Sequence, residues 1–125
     1  MADTDPYEAG LRTRREVLGS DYVDEALAAA DDFTRPFQEF LTRQAWNAVW
    51  NRPGLDRRTR SIVNLAVLVT LGKPHELGLH VHAALRNGVT PEEIREIFIH
   101  LSAYAGFPAV VEAFRVAKPI VAEQA

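Results

Sequence analysis

Helix-start and helix-stop residues recur along this chain at intervals of a typical helix length. The clearest start is Thr90-Pro91-Glu92-Glu93, which combines an N-cap threonine, a proline at the first helical position and a glutamate three residues after the cap. Gly88 ends the preceding segment, and Gly106-Phe107-Pro108 ends the following one. Apolar residues between these signals repeat every three or four positions. The pattern therefore predicts an all-α chain.

The same signals predict six or seven helices in a single compact domain over residues 1–125. The segment Ile62 to Leu71 is rich in β-branched residues, but its length and its helical neighbours favour a helix. It is apolar on more than one face, which predicts burial in a homo-oligomer. The predicted helices run from Tyr7 to Leu18, from Ser20 or Asp21 to Ala30, from Thr34 to Trp50, from the Asp56 cap through Leu71, from Glu76 to Asn87, from Thr90 to Tyr104 and from Ala109 to Val121.

The composition excludes several classes of function. No cysteine is present, which excludes disulfides, thiolate nucleophiles and zinc–cysteine sites. A formal net charge of −3 argues against a nucleic-acid partner. The longest apolar run, Leu65 to Val69, is too short to span a membrane, and the acidic start, Met1 to Pro6, lacks the layout of a signal peptide. We therefore expect a soluble, cytoplasmic protein without a membrane partner.

Three of the four histidines lie within the eight residues 75–82. Glu76 and His80 fall one turn apart on one face of the predicted helix. A carboxylate beside an imidazole can hold and deliver a proton near neutral pH. The flanking apolar residues predict a mostly buried helix, in which a charged pair is costly. The pair therefore indicates acid–base chemistry, with a solvated surface pair as the alternative.

The remaining histidines point less clearly to a function. His75 and His80 are spaced i,i+5, whereas the zinc-protease motif needs i,i+4. Glu76, His80 and His100 form a conceivable ligand set, but no spacing demands it, so we predict no metal. His82 faces away from His80 and is interpreted, like His75, as a surface or interface residue. His100 is interpreted as a partly buried histidine with its hydrogen bonds satisfied.

Arginines are concentrated around the two tryptophans, Trp46 and Trp50, and the loop that follows them. Arginine grips a carboxylate through two parallel hydrogen bonds. A proton donor beside one or two arginines suits a small anionic substrate. The tryptophans, spaced i,i+4, are interpreted as core or interface aromatics. The arginines of this region are Arg43, Arg52, Arg57, Arg58 and Arg60.

Short motifs run in a fixed order along nearly the whole chain. The central block is Glu76-Leu77 with Leu79-His80, followed by Ala83-Ala84 and Asn87-Gly88-Val89. The ordered set resembles the carboxymuconolactone decarboxylase family. Its other members are Tyr7-Glu8-Ala9-Gly10, Arg14 to Gly19, Asp32-Phe33, Phe37-Gln38-Glu39, Thr42-Arg43, Ala45-Trp46, Trp50, Arg52 to Leu55, Arg58 to Ser61, Glu93-Ile94, Tyr104, Gly106 and Pro108.

The resemblance implies an alkylhydroperoxidase-like all-helical fold that assembles as trimers or hexamers. Redox relatives of this fold carry a Cys-x-x-Cys pair followed by a histidine. Lys73 and Glu76 stand at those cysteine positions when the chains are aligned on His80. The resemblance therefore implies proton handling in place of redox chemistry.

The activity implied by the resemblance is cofactor-free decarboxylation of 4-carboxymuconolactone to the enol-lactone of 3-oxoadipate and CO2, a step of protocatechuate breakdown in the β-ketoadipate pathway. His80 is then the general acid, and Glu76 orients it and raises its pKa. The implied partner is a small anionic lactone. The candidate substrate-binding residues are Arg43, Arg52, Arg60 and Tyr104.

Two other functions fit the same residues. One is a related enzyme that acts on another small lactone or on a β-keto acid. The other is a non-catalytic small-molecule-binding protein of the same fold.

Overall fold

The computed structural model describes residues 5–124, and this part of the chain contains helices and no strand. The all-α prediction is confirmed, with seven helices in the described residues. The third helix changes its hydrogen-bond pattern midway and continues as a π-helical segment, Thr42–Val49. The helices are α1 Pro6–Leu18, α2 Ser20–Ala28, α3 Arg35–Leu41 with its π-helical continuation, α4 Arg57–Leu71, α5 Pro74–Arg86, α6 Pro91–Ala105 and α7 Phe107–Ala122.

The chain separates into two compact units, residues 1–55 and 56–125. The first unit holds α1 to α3 with the π-helical segment, and the second holds α4 to α7. The prediction of one domain over residues 1–125 stays a prediction. Residues 1–4 and 125, which include most of the acidic start, lie outside the described residues.

In the first unit, α1 packs closely against the π-helical segment. A Cβ atom at Gly10 would collide with the backbone carbonyl oxygen of Thr42, so the crossing requires a glycine. The Thr13 hydroxyl donates to the side-chain oxygen of Asn51 at 2.8 Å. The buried guanidinium of Arg14 donates to the Thr42 hydroxyl at 3.3 Å. These contacts fix the start and the end of the π-helical segment against α1.

Trp46 lies within this segment, and Trp50 directly follows it. Their rings stack with centroids 5.1 Å apart, and both side chains are buried, so the interpretation as core aromatics is confirmed. The backbone N–H of Trp50 donates to the carbonyl of Ala45 at 3.0 Å, five residues earlier. This i→i+5 pattern is the π-helical one, which apolar periodicity does not distinguish from an α-helix.

In the second unit, α4, α5, α6 and α7 enclose one apolar core. Leu65 of α4, Leu77 and Val81 of α5, and Phe98 of α6 are each at most 2% exposed. Gly78 lies on the face of α5 turned toward α7, where a Cβ would meet Val116 at 3.6 Å. The core therefore holds α5 between α4 and α7, and it limits where the polar side chains of α5 can lie.

Most predicted helix ends are confirmed. The Asp56 side chain accepts from the Thr59 N–H at 2.8 Å, and Thr90 and Glu93 form the predicted capping box. Gly72 ends α4 in the left-handed conformation. The prediction that Ser20 or Asp21 caps α2 is wrong, because Ser20 is itself the first helical residue and follows Gly19.

Large apolar side chains remain exposed on α4, α6 and α7 of the second unit. On α4, Val63, Val67 and Leu71 repeat every fourth residue, and all three are exposed. The prediction that this helix is apolar on more than one face is therefore confirmed, since Leu65 and Val69 are buried on its other side. No helix within residues 5–124 has both the length and the apolar composition needed to cross a bilayer.

Candidate active site

Helix α5 carries both members of the predicted acid–base pair. Pro74 occupies the first turn, where its missing N–H leaves no hydrogen bond unmade. Glu76 follows in the same turn, is exposed, and lies at the helix end that favours negative charge. His80 comes one turn later and is half-buried. The local geometry of the pair is thus as the spacing predicted.

Two opposing effects act on the imidazole of His80. Burial lowers its pKa, because the charged form loses hydration, and the nearby carboxylate of Glu76 raises it. Burial is the larger effect, so the pKa of His80 lies below its ordinary value. The influence expected of Glu76 is present, and burial outweighs it. The resting ring is therefore neutral at neutral pH.

This shift also affects stability. The pKa of His80 is lower in the folded chain than in an unfolded one, so the unfolded state binds the proton more readily. The stabilising contribution is present above the unfolded pKa and is lost as the pH falls through the folded value. Acidification therefore acts against the folded state at this residue.

A second polar contact to His80 comes from α4. The side-chain nitrogen of Asn64 lies 3.4 Å from Nδ1 of His80, and both residues are half-buried. Sequence reasoning missed Asn64. Its signal was present, because Asn64 is the one polar residue between Ile62 and Val69 in an otherwise apolar run. An amide at such a position needs a hydrogen-bond partner if it is to be buried.

Two further contacts hold α4 and α5 in one register. Asn87 donates to the Ser61 hydroxyl at 3.0 Å, and the Arg58 side chain donates to the Gly88 carbonyl at 3.4 Å. Arg58 also forms an ion pair with Glu93 of α6. The partners on α5 have lower residue numbers as the residue numbers on α4 rise, so the two helices are antiparallel. This register places Asn64 opposite His80.

The predicted arginines divide between the two units. Arg60 lies on α4, half-buried, one turn before Asn64 and on the same helix face. Arg43 lies half-buried in the π-helical segment of the first unit, and Arg52 follows that segment and is exposed. Of the three predicted substrate-binding arginines, Arg60 is therefore the one on the same face of α4 as Asn64.

The other candidate residues are more exposed. Tyr104 is 79% exposed near the end of α6, and its ring lies 5.2 Å from that of His100. His100 is exposed, so its interpretation as a partly buried residue is wrong. His75 is exposed in the first turn of α5, and His82 is half-buried.

The described residues form no candidate metal site. Within residues 5–124, no three histidine, aspartate or glutamate side chains form a group that could hold a metal ion. The alternative set of Glu76, His80 and His100 is therefore not assembled. The second unit places the His80 ring 3.4 Å from the Asn64 side-chain nitrogen and within the field of the Glu76 carboxylate, and Arg60 lies one turn before Asn64 on α4.

Comparison with known proteins identifies the family of this chain. The sequence model of the carboxymuconolactone decarboxylase family matches residues 35–119. A 4-carboxymuconolactone decarboxylase of Acinetobacter baylyi is 46% identical over 120 residues, 96% of this chain and 90% of that relative. A nitrosuccinic acid decarboxylase of Metarhizium robertsii is 45% identical over 115 residues, 92% of this chain and 80% of that relative.

A third relative matches a shorter stretch. A 4-carboxymuconolactone decarboxylase of Pseudomonas putida is 44% identical over 45 residues, which cover 36% of this chain and 94% of that relative. The resemblance inferred from the ordered motifs is confirmed by these matches. This chain belongs to the carboxymuconolactone decarboxylase family.

Proposed function

We propose that this chain is a carboxy-lyase that converts 4-carboxymuconolactone into the enol-lactone of 3-oxoadipate and CO2. The observation that carries the proposal is the 46% identity to the Acinetobacter decarboxylase over nearly the full length of both chains. The fungal relative, 45% identical, is also a decarboxylase but is named for nitrosuccinic acid. Decarboxylation is the reaction that the two names share, and the substrate is where they differ.

The two substrates have related chemistry. Each carries two carboxyl groups, one of them on a carbon whose electron pair can reach an electron-accepting group after CO2 leaves. That group is the nitro group in nitrosuccinic acid and the unsaturated lactone carbonyl in 4-carboxymuconolactone. In the lactone, the pair from the broken C–C bond moves through the ring double bond to the carbonyl, and a proton then adds at the α-carbon. The site must hold carboxylates, stabilise the developing oxyanion and supply that proton.

Each of these functions is assigned to candidate residues. His80 is the general acid that provides the proton, and burial makes its imidazolium a stronger acid than free histidine. The negative charge of Glu76 stabilises the protonated His80 ring. Arg60 is the candidate carboxylate clamp on α4, and Arg43 and Arg52 are those of the first unit. Tyr104 is assigned as a donor to the lactone oxygen.

A substrate panel tests the reaction. The purified protein is supplied with 4-carboxymuconolactone, nitrosuccinic acid and the lactone that lacks the ring carboxyl, while CO2 release and lactone absorbance are followed. We expect CO2 from 4-carboxymuconolactone and none from the decarboxylated lactone. CO2 from nitrosuccinic acid alone would replace the proposed substrate with that of the fungal relative. Binding of the lactone without CO2 release would favour a non-catalytic binding protein.

Replacement of the proposed acid tests the central assignment. We expect His80→Gln to lower kcat on 4-carboxymuconolactone by about 100-fold or more, the usual contribution of a general acid. His82→Gln, on the same helix, is the matched control and should retain activity within about twofold, as a substitution outside the site. Near-normal turnover by His80→Gln would show that another group delivers the proton.

Electrostatics fixes the direction in which removal of the Glu76 charge changes the pKa of His80. The carboxylate raises the pKa of His80, so Glu76→Gln should lower that pKa further below its ordinary value. An NMR titration of the His80 ring protons measures the change, and the alkaline limb of the activity profile, where the acid loses its proton, should move to lower pH with it. An unchanged His80 titration in Glu76→Gln would remove the proposed role of the carboxylate.

We also propose that the chain works as a homo-oligomer, a trimer or a hexamer. The exposed stripe of Val63, Val67 and Leu71 supports this, because monomers rarely leave such a continuous apolar face uncovered. We expect Val67→Glu to lower the mass measured by light scattering, since it places a charge within the covered face. Ala28→Glu, on exposed α2, should leave the mass unchanged. A wild-type monomer at micromolar concentration would contradict the assembly. The cytoplasmic location and the absence of a nucleic-acid partner stay predictions.

A further inference from the structure

Asn64 has no role in the family motifs or in the proton chemistry described above. It lies in the middle of α4, half-buried, among residues that are otherwise apolar. Its side-chain nitrogen lies 3.4 Å from Nδ1 of His80 on the facing helix. A half-buried amide that meets the proposed acid can determine which ring nitrogen of that acid carries a proton.

The donor and acceptor chemistry of the contact has one consistent solution. An amide nitrogen donates hydrogen bonds and does not accept them, so the ring nitrogen that faces it must accept. A neutral imidazole has one accepting nitrogen and one that carries a proton. If Nδ1 accepts from Asn64, the proton lies on Nε2.

We propose that Asn64 is a positioning residue that holds the resting His80 ring in its Nε2–H tautomer. This inference concerns the residues of the proposed active site and names a group that acts through His80. The ring then offers a hydrogen-bond donor at Nε2. Such a donor suits the proposed substrate, because its carboxylates and its lactone carbonyl only accept hydrogen bonds. It also suits the oxyanion that develops on that carbonyl.

The surrounding contacts support a fixed geometry. The Asn87–Ser61 hydrogen bond at 3.0 Å links the same two helices seven residues further along α5. The apolar core on the other side of α5, which includes Leu77 and Val81, keeps the helix from turning. Asn64 and His80 are therefore held by packing as well as by their own contact. Glu76, one turn before His80, is the charged group whose field acts on the ring.

The tautomer is directly measurable by NMR. In protein labelled with ¹⁵N in its histidines, long-range ¹H–¹⁵N correlations distinguish a protonated ring nitrogen from an unprotonated one. The His80 signals are assigned from their absence in His80→Gln. Above the pH at which His80 titrates, we expect the wild-type ring to have Nε2 protonated and Nδ1 unprotonated. A wild-type ring protonated at Nδ1 would overturn the inference without any variant.

Asn64→Asp provides the second arm, with Ala28→Glu as the control for added charge. A carboxylate only accepts hydrogen bonds, so at position 64 it should move the neutral-ring proton to Nδ1 and raise the pKa of His80. Ala28→Glu adds the same charge on exposed α2, outside the α4–α5 helix pair, so the tautomer should stay unchanged. An unchanged tautomer in Asn64→Asp would also overturn the inference.

Activity gives a third readout that separates this inference from the proposed reaction. At a pH above the His80 titration of both proteins, Asn64→Asp should lower kcat/KM on 4-carboxymuconolactone by at least about tenfold, because an unprotonated Nε2 cannot donate a hydrogen bond to the lactone oxyanion. Ala28→Glu should stay near wild type. Circular dichroism and thermal melting confirm that both variants fold. If the tautomer is as proposed but no lactone is consumed, the proposed function fails and the role of Asn64 stands. Full activity in a variant with the inverted tautomer would overturn the positioning role.

Discussion

The antiparallel packing of α4 against α5 is the constraint on which the candidate site depends. It is held by apolar side chains on the core side and by polar contacts on the other, with Asn87 bonded to Ser61 and Asn64 beside His80. A shift of one residue along either helix would rotate the facing side chains by about 100°. His80 would then lose its amide neighbour, and the burial that lowers its pKa would change.

Burial and a neighbouring charge act in opposite directions on the pKa of His80. Burial favours the neutral ring, while the exposed carboxylate of Glu76 favours the charged one. The balance leaves a ring that is neutral at rest and is more readily protonated when negative charge increases nearby. A substrate with two carboxylates brings such charge. In the proposed site, such charge would favour proton uptake by His80 through electrostatics alone.

Similarity to two decarboxylases with different substrates shows where specificity must lie. The chain is almost equally identical to a 4-carboxymuconolactone decarboxylase and to a nitrosuccinic acid decarboxylase. The common reaction needs a proton source and an electron-accepting group in the substrate. Only the proton source belongs to the protein. Recognition of the ring or of the nitro group is the task that the proposal gives to the candidate arginines.

The sequence by itself determined the helices and the Glu76–His80 pair, because caps, glycine stops and i,i+4 spacing act within a few residues of chain. It did not determine the π-helical segment, since apolar periodicity does not report which carbonyl a backbone N–H reaches. It also left the net pKa of His80 and its contact with Asn64, 16 residues away, undecided. Only tertiary structure decided these, because burial and partners across a helix pair depend on packing register rather than on local propensity.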